Sequence, residues 1–372
     1  MILQHLELKN FRLHKNTYLE FSQNLNYIVG GNGQGKTSLL EAIYYLCTSK
    51  NLLQSPDSEA VCFGEKFFET KGIFTNGTDN KVRILYDLEK GKKNIFLNEK
   101  QIYRSTEIIG KFPVVTLTQA DHFITQGSPV YRRKLLDSII SQASQTYLKT
   151  LLEYNRVLKQ RSSLLSKIRE TGNPLFEEEL EVWSSSLISK GSEIIEKRVE
   201  FIEEFNDYVK SSYNEIMGER EIPSITYKST IDFENISELR EKFEIELKRR
   251  KSEEIIRGSN LIGPHRDNAV FKINDFELKK YGSQGQNKTF QISLKFAQFF
   301  YLRDKLNKTP IFLLDDVFGE LDSERVEKIS FFLKKIGQAF ITLTDFTNTD
   351  NLIRDDKDRM IQVNKGEVEY VS

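Results

Sequence analysis

The chain is poor in residues that bind soft metals or form disulfides: 372 residues contain two cysteines, Cys47 and Cys62, and four histidines. The cysteines have no metal-like spacing and apolar neighbours. They read as small buried hydrophobes, which argues against a disulfide framework or a Cys/His zinc site. No apolar run approaches the ~20 residues that a membrane span needs. Met1-Ile2-Leu3-Gln4-His5 alternates like a strand, with no basic stretch leading into an apolar run, so no signal peptide and a cytoplasmic location are expected. Neither sign of charge is in excess: 54 Lys and Arg face 54 Asp and Glu. That balance argues against a protein basic over its whole surface and leaves room for a local basic face. Internal repeats and low-complexity tails are also missing. What is present, 38% hydrophobic and 29% charged residues, is the balance of a globular chain long enough for two domains.

Three regions separate on pattern. From Met1 to about Gln119, short β-branched and aromatic runs alternate with Gly, Asn and Asp turn signals. These runs include Tyr18–Phe21, Leu25–Val29, Val82–Leu88 and Asn94–Leu97. One strong helix, Lys36 to Cys47, interrupts them after a glycine-rich turn. From Asp121 to Arg257 the pattern is helical, starting at Gly127-Ser128-Pro129. The long stretches Tyr147–Ile168 and Leu175–Met217, broken by Thr171-Gly172-Asn173-Pro174, predict an antiparallel pair. Ile222–Thr230 reads as irregular or strand, and Leu239–Ile256 as helix. From Leu261 onward helix and strand alternate: helix to Leu306, strand Pro310–Leu314, helix Glu324–Ile336, strand Ala339–Leu343. That order predicts a parallel sheet with crossover helices.

Gly30-Gly31-Asn32-Gly33-Gln34-Gly35-Lys36-Thr37 is a complete G-x-x-x-x-G-K-[ST] loop between an apolar strand and a helix. Glycines let backbone N–H groups turn around a phosphate chain, and the helix adds the positive end of its dipole. Lys36 is expected on the β- and γ-phosphates, Thr37 on Mg²⁺, and Ser38 beside them, so ATP and Mg²⁺ are the expected cofactors. Ile311-Phe312-Leu313-Leu314-Asp315-Asp316 is an apolar strand ending in two carboxylates, a Walker B pattern. Asp315 is expected to hold Mg²⁺ and Asp316 to position or deprotonate the attacking water. Alone, such an acidic turn after a core strand would carry little. Beside the phosphate loop it gains meaning.

The distance between Lys36 and Asp315 decides the class. A strand-rich lobe and a long helical insertion intervene, as in ABC-type heads of the SMC and DNA-repair kind. The expected fold is therefore an α/β ABC-type P-loop ATPase head, with a mixed-sheet lobe and a RecA-like parallel sheet. Residues 1–120 and 258–372 would form the head, and 121–257 a helical arm. Ser283-Gln284-Gly285-Gln286 stands one helix ahead of Walker B, where ABC ATPases carry their signature. There Ser283, Gly285 and Gln286 would close over the γ-phosphate held by a second subunit, although a serine at a helix start is also an ordinary cap. Gly319-Glu320-Leu321-Asp322 is similar to a D-loop. Thr342-Leu343-Thr344-Asp345 occupies the place of an ABC switch histidine, which this chain lacks.

Six strings then occur together, in order, over essentially the whole chain. They are Asn10-Phe11-Arg12, Gly127-Ser128-Pro129 with Arg132-Arg133, Leu158-Lys159-Gln160-Arg161, Gly263-Pro264-His265-Arg266-Asp267, Gly282 through Gln286, and Leu314 through Asp322. In these the chain resembles the RecF family. The resemblance implies an ATP-dependent DNA-binding protein that helps load a recombinase at gapped or stalled DNA. It further implies an ATP-dependent homodimer, a weak DNA-stimulated ATPase, single-stranded, duplex or gapped DNA as ligand, RecR and RecO as partners, and no membrane. Three stretches depart from the family pattern. Leu53-Gln54 replaces an arginine-threonine pair, Thr118-Gln119-Ala120-Asp121 lacks a proline-glutamate, and the signature helix begins Asn287-Lys288-Thr289.

Other basic residues have two readings each. Arg132, Arg133, Lys134, Lys149, Arg156, Lys159, Arg161 and Lys167 can face phosphate backbone or form a solvated helix face. Lys248-Arg249-Arg250-Lys251 reads as a contact to phosphate backbone or, in preference, a solvated helix turn, and His265-Arg266 as a catalytic pair or, in preference, a hydrogen-bonded turn organising the sheet. Arg12 reads either as a nucleotide contact or as a strand-end ion pair.

Overall fold

The structure, a computed structural model, describes residues 1–53, 55–320, 323–344 and 355–371, with the side chains of 320 and 323–325 left out. The expected D-loop residues Leu321 and Asp322, together with Gln54 and Asp345, lie outside the described residues. Packing divides the chain into two compact units. One comprises residues 1–121, 212–218 and 292–372; the other comprises 122–211 and 219–291.

In the first unit, six strands form an antiparallel sheet. Its order is His14–Glu20, Ile2–Phe11, Phe67–Thr75, Asp79–Asp87, Lys92–Leu97, Lys100–Ile102. Phe67–Thr75 alternates buried and half-buried residues, as a sheet with a single core face requires. A second six-stranded sheet has the order Glu367–Val371, Arg359–Asn364, Leu25–Val29, Ala339–Leu343, Ile311–Asp315, Val114–Thr118. Its strands run parallel except the last, Glu367–Val371, which is antiparallel to Arg359–Asn364. Leu25–Val29 and Ala339–Leu343 are buried throughout, which is why they read as continuous apolar runs rather than alternating ones. The helix Lys36–Thr48 follows the glycine-rich turn, and its Leu39, Leu40, Ile43 and Leu46 join one core with residues of both sheets.

The second unit is mainly helical. Gln145–Thr171 ends at Gly172, whose φ of 60° is the left-handed conformation that glycine adopts at a helix end. The helix Leu175–Met217 returns beside it. Contacts from Thr150 to Glu193, Glu153 to Lys190 and Arg161 to Ser184 advance along one helix while receding along the other, so the pair is antiparallel. Ile222–Thr230 contains a strand, Pro223–Lys228, at the edge of a three-stranded sheet with Asn268–Ile273 and Phe276–Glu277. This pairing carries the unit past Arg257, where the sequence placed the end of the helical insertion, through the strands Asn268–Ile273 and Phe276–Glu277. A strand pairing across forty residues leaves no local mark in the sequence.

Candidate nucleotide site

Strand Leu25–Val29 delivers the chain to Gly30, whose N–H donates to the Leu343 carbonyl. A Cβ on Gly30 would lie 2.3 Å from the Val363 carbonyl oxygen, so no larger residue fits. Gly33 and Gly35 have φ of 73° and 110°, values that L-residues with side chains adopt only under strain. Gly31, Asn32 and Gly33 are exposed, while Gln34, Thr37 and Ser38 are half-buried. Lys36 is buried, and its ammonium donates to the Gly30 and Gly31 carbonyls at 2.6 and 2.9 Å. Burial lowers its pKa, against the attraction of Asp316 and Asp315. A cation held by two neutral carbonyls at the mouth of the loop is placed to exchange them for phosphate oxygens.

The Thr37 hydroxyl lies 3.0 and 3.1 Å from the two carboxylate oxygens of Asp315, although 278 residues separate them. Thr342 Oγ1 donates to Asp315 at 2.8 Å and accepts the Asp316 N–H at 2.9 Å, joining both acids of the strand end. Burial raises the Asp315 pKa, opposed by the hydrogen bonds from Thr342 and Thr37 and by Lys36. A hydroxyl and a half-buried carboxylate within hydrogen-bond distance of each other are hard oxygen donors of the kind that suits Mg²⁺. Asp316 has φ of 50°, a left-handed value that Asp tolerates better than most residues, and this turns its side chain out of the strand line. Gln119 Nε2 reaches Asp316 Oδ2 at 3.3 Å. The carboxylate is thus oriented by an amide.

Sequence reasoning missed Thr342 and Gln119 as parts of this site. The one was noted only for standing where a histidine was expected, and the other only as a departure from pattern. Arg12 resolves as an ion pair. Its Nε and Nη2 each donate to Glu41 at 2.8 Å, and Nη1 donates to the Glu59 carbonyl at 2.6 Å.

Ser283, Gly285 and Gln286 belong to the second unit. Gln286 N–H donates to Ser283 Oγ at 3.1 Å, and Ser283 N–H donates to Gln286 Oε1 at 2.8 Å. This reciprocal capping box starts the helix Gln284–Leu306 and leaves Ser283 exposed. The capping reading is realised without removing the serine from the surface.

The basic candidates of the arm divide. Arg161 is 1% exposed and donates to Ser184, Asn260 and Glu254, so it is internal structure. Arg132 is buried against Asn268 and the Ile124 and Gly127 carbonyls, and Arg133 donates to the Asp267 carbonyl. Lys134, Lys149, Arg156, Lys159 and Lys167 are exposed. Lys248, Arg249 and Lys251 pair with Glu244, Glu246 and Glu181 on the helical surface, the solvated reading. His265 accepts from Tyr154 and faces the Asn260 carbonyl, its pKa lowered to about 4 by burial, the hydrogen-bonded turn expected. Among the described residues, no helix is long and apolar enough to cross a membrane.

A parallel sheet carrying a glycine loop, a helix and two strand-end acids, under an antiparallel lobe, defines an ABC-type P-loop ATPase head. The family model for the RecF/RecN/SMC N-terminal domain matches residues 2–369. The DNA replication and repair protein RecF of Chloroherpeton thalassium is 41% identical over 355 residues, covering 93% of this chain and 95% of that one. The solved recombination mediator RecF–ATP of the RecFOR pathway superposes with a TM-score of 0.90 at 32% identity, over 100% of this chain and 97% of that one. An SMC head bound to the C-terminal winged-helix domain of ScpA shares the fold, with a TM-score of 0.58 at 15% identity over 100% of this chain and 97% of that one. This chain belongs to the RecF family of DNA replication and repair proteins.

Proposed function

We propose that this chain is an ATP-dependent DNA-binding protein of recombinational repair and replication restart. In this reading it dimerises on binding ATP, releases DNA on slow, DNA-stimulated hydrolysis and assists recombinase loading. The observation that carries the chemistry is the convergence of Thr37, Asp315, Thr342, Asp316 and Gln119 beside the loop that holds Lys36.

In the ATP-bound state Lys36 exchanges the Gly30 and Gly31 carbonyls for β- and γ-phosphate oxygens, and loop N–H groups from Gly31 to Ser38 complete the cradle. Mg²⁺, when bound, neutralises charge developing on the phosphates. Thr37 and Asp315 are the residues that would hold it. Asp316, oriented by Gln119, positions water for in-line attack and accepts its proton. Ser283, Gly285 and Gln286 of a second copy close over the γ-phosphate, so ATP lies between subunits. Lys134, Lys149, Arg156, Lys159 and Lys167 are exposed cations of the arm offered to DNA phosphates. RecR and RecO are the proposed protein partners, in line with the RecFOR pathway named for the solved relative. A cytoplasmic location fits the same reading.

The test is the lifetime of the duplex-DNA complex. Asp316→Asn keeps the shape of the side chain and removes the proton acceptor, so it is expected to bind ATP, dimerise and fail to turn over. Its DNA complex should outlast the wild-type complex in ATP and match it in a non-hydrolysable analogue. Equal lifetimes in ATP, with wild-type hydrolysis confirmed, would show that hydrolysis does not time release.

A further inference from the structure

The last two peptide groups of the glycine-rich loop are held from outside the loop by turns far away in sequence. The Gln34 carbonyl accepts the Gly366 N–H at 2.9 Å, and Gln34 Oε1 accepts the Lys365 N–H at 2.8 Å. The Gly35 carbonyl faces His14 Nε2 at 3.1 Å, besides accepting the Leu39 N–H at 3.3 Å. A trans peptide points its carbonyl and its N–H to opposite sides. Fixing the Gln34 carbonyl on the Gly366 side therefore turns the Gly35 N–H away from it. Fixing the Gly35 carbonyl on the His14 side does the same for the Lys36 N–H. Both N–H groups are thereby turned away from the partners that hold the carbonyls.

The imidazole is suited to this task. His14 has 0% exposure and lies between Gly35 on one ring nitrogen and Thr17 Oγ1, 3.1 Å away, on the other. A carbonyl oxygen can only accept, so Nε2 carries the proton. In the neutral ring Nδ1 is then an acceptor facing the Thr17 hydroxyl, for whose proton the Gly366 carbonyl, 3.4 Å away, competes. Burial favours the neutral form. The second turn is locked against the first. Gly366 has φ of 82°, and a Cβ there would lie 2.2 Å from the Leu13 carbonyl oxygen, one residue before His14. The space where a Cβ on Gly35 would project is itself filled by the imidazole, 3.1 Å away.

We propose that His14 is a positioning residue for the nucleotide phosphates, acting through the Gly35 peptide, with the Lys365–Gly366 turn as its counterpart on Gln34. The proposal rests on the reading of residues 30–37 as the phosphate loop. It makes ATP affinity depend on a ring that touches no nucleotide atom, and on a hairpin near the other end of the sequence.

The experiment is an equilibrium titration of the full chain with a fluorescent N-methylanthraniloyl ATP and Mg²⁺, alongside thermal unfolding without nucleotide. His14→Phe fills the space without a donor and should weaken binding roughly five- to tenfold, the worth of one hydrogen bond. His14→Gln restores an N–H near the Nε2 position and should recover affinity to within about twofold of wild type. Wild-type affinity in His14→Phe overturns the proposal. Equal weakness of the two variants also overturns it, because packing and not the donor would then be at work. Should His14→Phe fail to fold, Thr17→Val frees the ring to take the other tautomer. It should lose about twofold or more in affinity, and wild-type affinity there overturns the proposal. Lys36→Ala in the same titration separates the two readings. If Lys36→Ala binds normally, the phosphate-loop reading falls and the proposal with it. If Lys36→Ala loses binding and His14→Phe does not, only the role of His14 falls.

Discussion

The Lys295 ammonium lies 2.8 Å from Asp121 Oδ1, in a pair whose side chains are 6% and 13% exposed. The other Asp121 oxygen accepts the Thr118 N–H at 2.7 Å, and the next residue, Gln119, reaches Asp316. The buried charge of Lys295 is thereby tied to the strand end beside Asp316. Asp121→Asn leaves Lys295 buried and uncompensated, and an expected cost of about 3–5 kcal/mol follows. Lys295→Met should cost less, since Thr118 still satisfies Asp121. Urea unfolding measures both, and steady-state kinetics should show kcat falling more than KM rises as Gln119 loses its support. A Lys295→Met variant with unchanged kcat would leave the pair a purely structural one.

Asp315 gives a pH dependence with a defined sign. Burial raises its pKa in the folded state, so folding binds its proton more tightly than the unfolded chain does. The associated stability is present below the ordinary carboxylate range and is lost as pH rises through the folded value. At neutral pH, in EDTA and without nucleotide, the ionised carboxylate is a cost. Asp315→Asn should therefore raise the melting temperature by a few degrees there, and the advantage should vanish in acid. With Mg²⁺ and ATP the order should reverse, because the variant has lost a metal ligand. Thermal melts across pH, with and without Mg·ATP, check both halves.

Ser283 separates capping from assembly. Ser283→Ala removes the side-chain half of the capping box and should cost about 1 kcal/mol in stability. Ser283→Arg should bind ATP as a monomer and fail to dimerise, because a bulky cation would occupy the γ-phosphate position offered by the other copy. Light scattering with ATP reads the difference. Normal dimerisation of Ser283→Arg would leave the serine as a helix cap alone.

Arg161 and Lys159, two residues apart, should behave oppositely. Arg161→Met breaks a buried pair with Glu254, which leaves an unpaired carboxylate inside the arm and should destabilise it by about 3–5 kcal/mol. Lys159→Ala should leave the melting temperature unchanged. It should weaken duplex binding and lower the salt slope of log K by about 1. Fluorescence anisotropy on duplex DNA at several salt concentrations decides this.

The phosphate loop and the Walker B strand were legible because their chemistry lies in consecutive residues. A loop that wraps phosphate needs glycine, lysine and threonine at fixed spacing, and a core strand that presents acids at its end must be apolar until that end. Ser283 as a helix cap was legible for the same reason, whereas the return bond from Gln286 that completes the box was not read. The arm's antiparallel helices were readable from period and from the Gly172 break. Which arginines of the arm face inward was not, because Arg161 and Lys159 look alike in sequence until Glu254 and Asn260 fold against one of them.

The sequence by itself determined the class of head, the glycine loop with its lysine and threonine, and the pair of acids that ends a core strand. The tertiary structure decided what surrounds those groups. Asp315 pairs in register with Thr118 on one neighbouring strand and with Thr342 on the other. That register alone brings Gln119 to Asp316 and a hydroxyl to both acids. The same applies to His14 behind Gly35, to Gly366 beside Gln34, and to the strand pairing that carries the second unit past Arg257. The reason is physical. Local propensity and motif spacing act over a few residues, whereas the neighbours of a strand or a buried side chain are fixed by sheet register and close packing, which act across the whole chain.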